Sequence, residues 1–278
     1  MRIGVRAHDE GKMGFEELAA VMGSQGFTCT HLALYKAIQD FRVDNRAMTP
    51  GLAAYIREVL AKNHIDVAVL GCYLNLGNPD PEQLKAIMER YKAHIRFASW
   101  LGVGVVGTET GAPNVEYRYE EACRSEEALE TFIENLRVIV EYAEKMGVVF
   151  AIEPVRTHIV YTVERARRVL DAINSPNLQI IFDPVNLLGM DNYTEQDQII
   201  KDAFELLGDE IAVIHGKDFV IENGNLKSVG AGLGGLNYDL LMKYVKEQKP
   251  YIQITLENVN RENAVDCRRF VEEKFRLA

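Results

Sequence analysis

Four apolar runs in the second half of the chain each stop at a residue able to bind a metal ion, and the stops recur at similar intervals. The runs are 147–153, 178–183, 211–215 and 252–257; the residues that end them, Glu153, Asp183, His215 and Glu257, lie 30, 32 and 42 positions apart. Each run is apolar throughout and does not alternate. Strands buried on both faces have that pattern, which predicts a parallel sheet covered by helices. The intervals match a strand–helix repeat. A polar residue therefore recurs at one phase of a repeating unit.

The repeat extends over the whole chain. Strands are predicted at 2–7, 29–34, 67–72 and 103–108, and helices at 15–23, 50–62, 81–101, 126–146, 162–173, 194–207, 237–247 and 261–275. Thr49 before Pro50 and Asp80 before Pro81 are helix-start signatures, a capping side chain followed by a proline that needs no amide partner. With no linker and no low-complexity tract, the α/β alternation predicts a single domain over residues 1–278, one closed (β/α)8 TIM barrel. The strands of such a barrel open at their C-terminal ends on one face. Neighbouring strands are about 4.8 Å apart, so four adjacent strand ends converge on one ion with ligand bonds of roughly 2.0–2.2 Å.

One acid at a strand end is usually a solvated loop residue or a helix cap. Three carboxylates and an imidazole at one phase of consecutive repeats instead form an oxygen-rich donor set. That set suits one divalent ion, Mn²⁺ foremost and Co²⁺, Mg²⁺ or Zn²⁺ as alternatives. The net charge of -10 and pI near 5.2 repel phosphate backbones and anionic membranes, so neither nucleic acid nor membrane is an expected partner. No apolar run approaches the roughly 20 residues of a membrane span, and a soluble, cytoplasmic protein is expected. Cys29, Cys72, Cys123 and Cys267 contain no Cys-x-x-Cys pair, which argues against a zinc knuckle or a disulfide framework.

Several short motifs carry a resemblance. They are Glu153, Asp183-Pro184-Val185-Asn186, His215-Gly216-Lys217-Asp218 with Gly230 and Gly232 beyond it, and Leu256-Glu257-Asn258. At these residues the sequence resembles the xylose-isomerase-like barrel superfamily of sugar phosphate isomerases and epimerases, which includes inosose dehydratases and a branch of apurinic endonucleases. The resemblance covers essentially the full chain and implies metal ligands at Glu153, Asp183, His215 and Glu257. Two branches fit less well. Asn186 stands where ketose 3-epimerases and the nucleases carry a His, and the loop 154–158 is shorter than in the epimerases. Glu109 ends the fourth strand where the nucleases have a His, and 6 His in all are few for a three-zinc site.

A divalent ion bound by a hydroxycarbonyl compound stabilises the enediolate formed when the adjacent carbon loses a proton. Glu153 and Glu257 flank that position as the expected acid–base pair. The chain is thus expected to be an enzyme, a metal-dependent isomerase or epimerase of a sugar, sugar phosphate or polyol. An inosose-type dehydratase is the alternative, since loss of a β-hydroxyl from the same enediolate gives a lyase. An apurinic endonuclease and a non-catalytic sugar-binding barrel rank below it. Arg156, His158, Asn186, Lys217, Glu109 and His8 are candidate substrate contacts, with Tyr73 and Asn75 on the same rim; Lys217 has an equal claim to pair with Asp218 or Glu257. His31, near the start of the predicted strand 29–34, is expected on the far face, and with His64 and His94 is expected to be structural. The Gly-rich tract 230–235 follows no predicted strand and lacks a Lys-Ser/Thr ending, so it is expected to be a tight loop. A homo-oligomer is compatible with all of this.

Overall fold

Backbone pairing turns the predicted repeats into a ring. In the computed structural model, which describes residues 1–278, the strands are β1 (Arg2–Arg6), β2 (Cys29–Leu32), β3 (Asp66–Gly71), β4 (Val105–Glu109), β5 (Val149–Glu153), β6 (Leu178–Phe182), β7 (Ile211–Glu222), β8 (Asn225–Gly230) and β9 (Gln253–Leu256). From β1 to β7 each strand pairs in parallel with the next, then β7 with β9 and β9 with β1. The result is a closed eight-stranded parallel barrel, a single (β/α)8 fold.

The helices are α1 (Phe15–Ser24), α2 (Leu34–Ala37), α3 (Pro50–Lys62), α4 (Pro81–Leu101), α5 (Glu126–Met146), α6 (Val163–Ile173), α7 (Gln196–Leu207), α8 (Tyr238–Gln248) and α9 (Ala264–Leu277). The predicted starts hold where a side chain caps them. Thr49 accepts from the Leu52 amide ahead of α3, and Asp80 from those of Glu82 and Gln83 ahead of α4. The helices bury apolar faces against the outside of the sheet in one continuous core.

Inside the ring a smaller cluster of Cys29, Ala68, Val69, Ala151, Ile181 and Val213 fills the lumen. This plug is closely packed: a Cβ at Gly107 would fall 2.5 Å from Ile181 Cδ1 and 2.7 Å from Val69 Cγ1. Side chains alternate across a strand, so residues two positions beyond the plug face the open mouth. Ala151 leads to Glu153, Ile181 to Asp183, Val213 to His215 and Cys29 to His31. The apolar plug is the floor on which the polar residues stand.

Three predicted elements differ from the structure. The strand expected to stop at His215 continues to Glu222 and turns back through Asn223 and Gly224, both at positive φ, into β8. An Asn-Gly pair adopts this mirror-image turn readily, so the hairpin had a local signal. The Gly-rich tract therefore does follow a strand directly. Its conformation is set by Asp218, whose carboxylate accepts from the amides of Phe219, Gly232 and Leu236. The second strand ends at Leu32 because the chain enters α2 at Leu34; His31 consequently stands near its C-terminal end, on the mouth side. All four cysteines are buried and unpaired, and no helix is long and apolar enough to cross a membrane.

Candidate metal centre

The mouth contains a cavity of about 160 Å³ lined by Arg6, His8, His31, Lys36, Tyr73, Glu109, Glu153, Asn186, Lys217 and Glu257. A larger one of about 290 Å³ lies outside it, between the loops after β5 and β6 and α7. The smaller one is the candidate site, because chemistry selects it and size does not: it collects the acids, bases and cations.

At its base three acids meet three cations. His215 Nδ1 lies 3.2 Å from Glu153 Oε1 and 3.3 Å from Glu257 Oε1. Lys217, two residues further along the same face of β7, places Nζ 2.8 Å from Asp183 Oδ2 and 3.6 Å from Glu257 Oε2. Arg6 Nη1 reaches Glu257 Oε2 at 2.9 Å. Asn186 links the groups, donating to Glu153 Oε1 at 2.6 Å and accepting from Lys217 Nζ at 2.7 Å. Asp183 is fixed through its other oxygen, which accepts from the amides of Val185 and Asn186.

Burial and charge act against each other here. Burial alone would raise Glu257, but His215, the neighbouring His31 ring, Lys217 and Arg6 together hold it well below its ordinary range. Burial likewise raises Glu153, and the charged His215 ring more than offsets it. Burial pushes Asp183 up to about 6 although Lys217 stands against it. Burial lowers His215, yet Glu257 and Glu153 prevail and push it up to about 9. Without a metal, the protonated imidazole is the counter-ion of the two glutamates. An ion bound there would replace that proton.

The donors fit a divalent ion. Both ring nitrogens of His215 are buried with no aligned hydrogen-bond partner, as is His31 Nδ1. One donor atom each from Glu153, Asp183 and His215 lies within 4.8 Å of the others, and the same is true of His31, His215 and Glu257. Such a cluster of oxygens around a bare imidazole nitrogen has the composition of a Mn²⁺, Co²⁺, Mg²⁺ or Zn²⁺ site.

The remaining candidates separate by position. Glu109 ends β4 in register with Glu153 and lines the cavity. Burial and the Glu153 charge push it up to about 7, against the Tyr117 hydroxyl that donates to Oε2 at 3.2 Å. Tyr117 holds that phenol from a backbone at φ 55, a conformation costing a non-glycine residue roughly 1–2 kcal/mol. His158 packs its ring 5.2 Å from that of Tyr117, and burial lowers it to about 4. His8 lines the cavity and is likewise lowered to about 3, by burial and then by Arg6. Arg156 points elsewhere: it pairs with Asp191 and lines the outer cavity. Asn75 ties loops together, accepting from the amides of Gly77 and Ala112.

His31, expected on the far face, is instead buried at the mouth. Its ring stacks on His215 with centroids 5.1 Å apart, its Nδ1 is 3.6 Å from Glu257 Oε1, and Nε2 lies 3.0 Å from the Tyr73 hydroxyl. Arg6 was not singled out either. Both belong to strands whose neighbours in sequence gave no phase; Cys29 and His31, two apart on one face, were the available signal.

The sequence matches the family described as xylose isomerase-like TIM barrel over residues 10–273. No curated protein matches significantly. Among solved structures, a D-tagatose 3-epimerase-like protein is 20% identical, with TM-score 0.78 and coverage of 100% of this chain and 98% of the other. The IOLI protein with a bound zinc atom is 18% identical, with TM-score 0.76 and coverage of 99% and 98%. The probable 3-DHS dehydratase AsbF from Bacillus anthracis is 15% identical, with TM-score 0.75 and coverage of 98% of each chain. At these identities the structural likeness concerns the fold alone.

Proposed function

Because the chain belongs to the xylose isomerase-like TIM barrel family, we propose that it is a divalent-metal-dependent isomerase or epimerase of a sugar or polyol. The observation that carries this reading is the imidazole of His215, without an aligned hydrogen bond at either nitrogen and facing buried carboxylates. Glu153, Asp183, His215 and Glu257 would hold the ion, Mn²⁺ foremost; the zinc atom bound by IOLI supports a divalent metal. When bound, the ion supplies Lewis-acid stabilisation for the enediolate left by proton loss next to a carbonyl.

The chain's own residues do the rest. Glu153 has one oxygen engaged by Asn186 and His215, and its other oxygen is free to take a proton from a substrate carbon. Glu257, across His215, would take a proton from solvent in each turnover and deliver it to the opposite face. Arg6 fixes one oxygen of Glu257, which orients the other. Lys217 holds a buried ammonium where a developing oxyanion needs one, and Asn186 keeps it aimed. The AsbF likeness and Glu109, a carboxyl near neutrality at the mouth, support dehydration as the second reading, with Glu109 protonating a departing hydroxyl.

Proton and product NMR in D₂O over a panel of ketoses, aldoses and inososes, with Mn²⁺ present, tests both. Isomerisation or epimerisation places deuterium on the carbon next to the carbonyl. Loss of a hydroxyl moves the assignment to the lyase. Product without deuterium at that carbon defeats the two-carboxylate scheme.

A further inference from the structure

The acid–base pair leaves three polar side chains on the β4–β5 side of the mouth without a task in isomerisation. Glu109 Oε2 receives the Tyr117 hydroxyl at 3.2 Å, and Tyr117 supports the His158 ring. His158 Nε2 then stands 3.9 Å from the same Oε2. That separation is too long for a hydrogen bond, which needs about 2.7–3.2 Å between heavy atoms. The other ring nitrogen, Nδ1, is buried with no partner. A buried bare lone pair costs less than a buried N–H, so the ring proton belongs on Nε2, the nitrogen facing Glu109. A donor and an acceptor thus look at each other across a gap that neither closes.

One oxygen atom closes it. An oxygen about 2.8 Å from both atoms completes a triangle whose third side is the observed 3.9 Å. The oxygen accepts from Nε2–H and, when Glu109 is ionised, donates to its carboxylate, which an alcohol does and a carbonyl does not. Phosphate and carboxylate groups fit less well, because they set like charge against Glu109 whenever it is ionised and add to the charge of Glu153 beside it. Glu109 is the ladder partner of Glu153, one strand spacing of about 4.8 Å away, and both line the same cavity. A hydroxyl at this position therefore belongs to a carbon close to, but beyond, those processed at Glu153.

We propose that Glu109 and His158 form a hydroxyl subsite bridged by one alcohol oxygen, so that the substrate is polyhydroxylated and carries an uncharged hydroxyl beyond the two oxygens at the metal centre. This rests on the metal-dependent sugar or polyol reading above. Tyr117 is the positioning residue that orients Glu109.

Calorimetry with Mn²⁺-loaded protein tests it, using xylitol, sorbitol and myo-inositol as probes and ethylene glycol as a two-oxygen control. At least one polyol is expected to bind the wild type. His158→Phe and Glu109→Leu should each weaken it by roughly tenfold, the loss of one hydrogen-bonded hydroxyl. The double variant should lose scarcely more than either single one, because a single oxygen serves both partners. His158→Gln, which keeps a donor, should recover part of the affinity, and ethylene glycol should not distinguish any of these proteins. Additive losses, unchanged polyol affinity or an equal loss for ethylene glycol overturns the subsite. So does a wild type that takes up Mn²⁺ but binds none of the three polyols. A wild type that takes up no Mn²⁺ overturns the metal reading instead. If either apolar substitution fails to give a cooperative thermal transition, Tyr117→Phe replaces it: a selective loss of polyol affinity is expected, and no loss overturns the proposal.

Discussion

On the arc formed by β5, β6, β7 and β9, charged groups sit where strands pass from the apolar plug into the mouth, and they neutralise one another at 2.8–3.6 Å. On the arc formed by β1 to β4, Arg6, His31, Tyr73 and Glu109 face that cluster from the other side of one cavity. The first arc contains nearly all the donors an ion needs. The second supplies restraints: Arg6 occupies one oxygen of Glu257, His31 stacks on His215, and Tyr73 meets the far nitrogen of His31. Ligand chemistry on one side thus depends on orientation imposed from the other. Buried charges tolerate such dependence poorly, since removing one partner leaves another uncompensated.

Substitutions at five residues probe that division. Glu257→Gln strikes where the arcs meet and should cost roughly 10²–10⁴-fold in turnover under saturating metal. Wild-type turnover by both Glu257→Gln and Glu153→Gln would erase the distinction between the arcs. Next in size, His215→Ala should lower metal affinity by at least about tenfold with the fold retained, as read by elemental analysis and circular dichroism. Arg6→Met and His31→Phe sharpen the comparison. If the second arc only orients, each should weaken Mn²⁺ by about tenfold or less, and turnover at saturating Mn²⁺ should fall far less than for Glu257→Gln. A loss at His31 equal to that at His215 would promote His31 to a ligand.

The smallest effect concerns neither arc. His94, buried on α4, is held down to about 4 by burial and keeps one ring nitrogen unpartnered. Its folded value lies below the unfolded one, so as pH falls from about 6.5 towards 4 the unfolded chain takes up a proton that the folded chain refuses. Stability is therefore complete above about 6.5 and is lost on acidification, by a few kcal/mol at most. Thermal melting between pH 7 and 5 should show a decline of several degrees that His94→Phe reduces. It should not abolish the decline, since His8 and His158 are depressed in the same sense.

Much of the fold was legible because both faces of each barrel strand are buried, so that apolar runs and capped helix starts recur without interruption. The first arc was legible for the same reason: Glu153, Asp183 and Glu257 break apolar runs at one phase. The second arc was not. Arg6 and His31 lie in strands that mix polar and apolar residues, Arg2–Arg6 and Cys29–Leu32, so no uniform apolar run marks their phase, and α2 cut short the run that would have placed His31. His215 was found although its strand was misjudged, because the inward phase continues into the hairpin. Lys217 shares that phase, and its partners Asp183 and Asn186 come from another strand's end, a pairing that no local spacing reveals.

Closure of the ring also orders events in time. β9 enters between β7 and β1, and Gln253 pairs with Arg2 across 251 positions of chain. Contacts that distant form slowly, because a long loop must be ordered before they reward it. During synthesis, a chain that has emerged only through β7 already possesses Glu153, Asp183 and His215 but lacks Glu257. Arg6, though made first, has only Asp9 beside it until the last strand brings Glu257. The four-residue cluster proposed to hold the ion is therefore completed only when the last strand docks, with Glu153, Asp183 and His215 assembled ahead of Glu257.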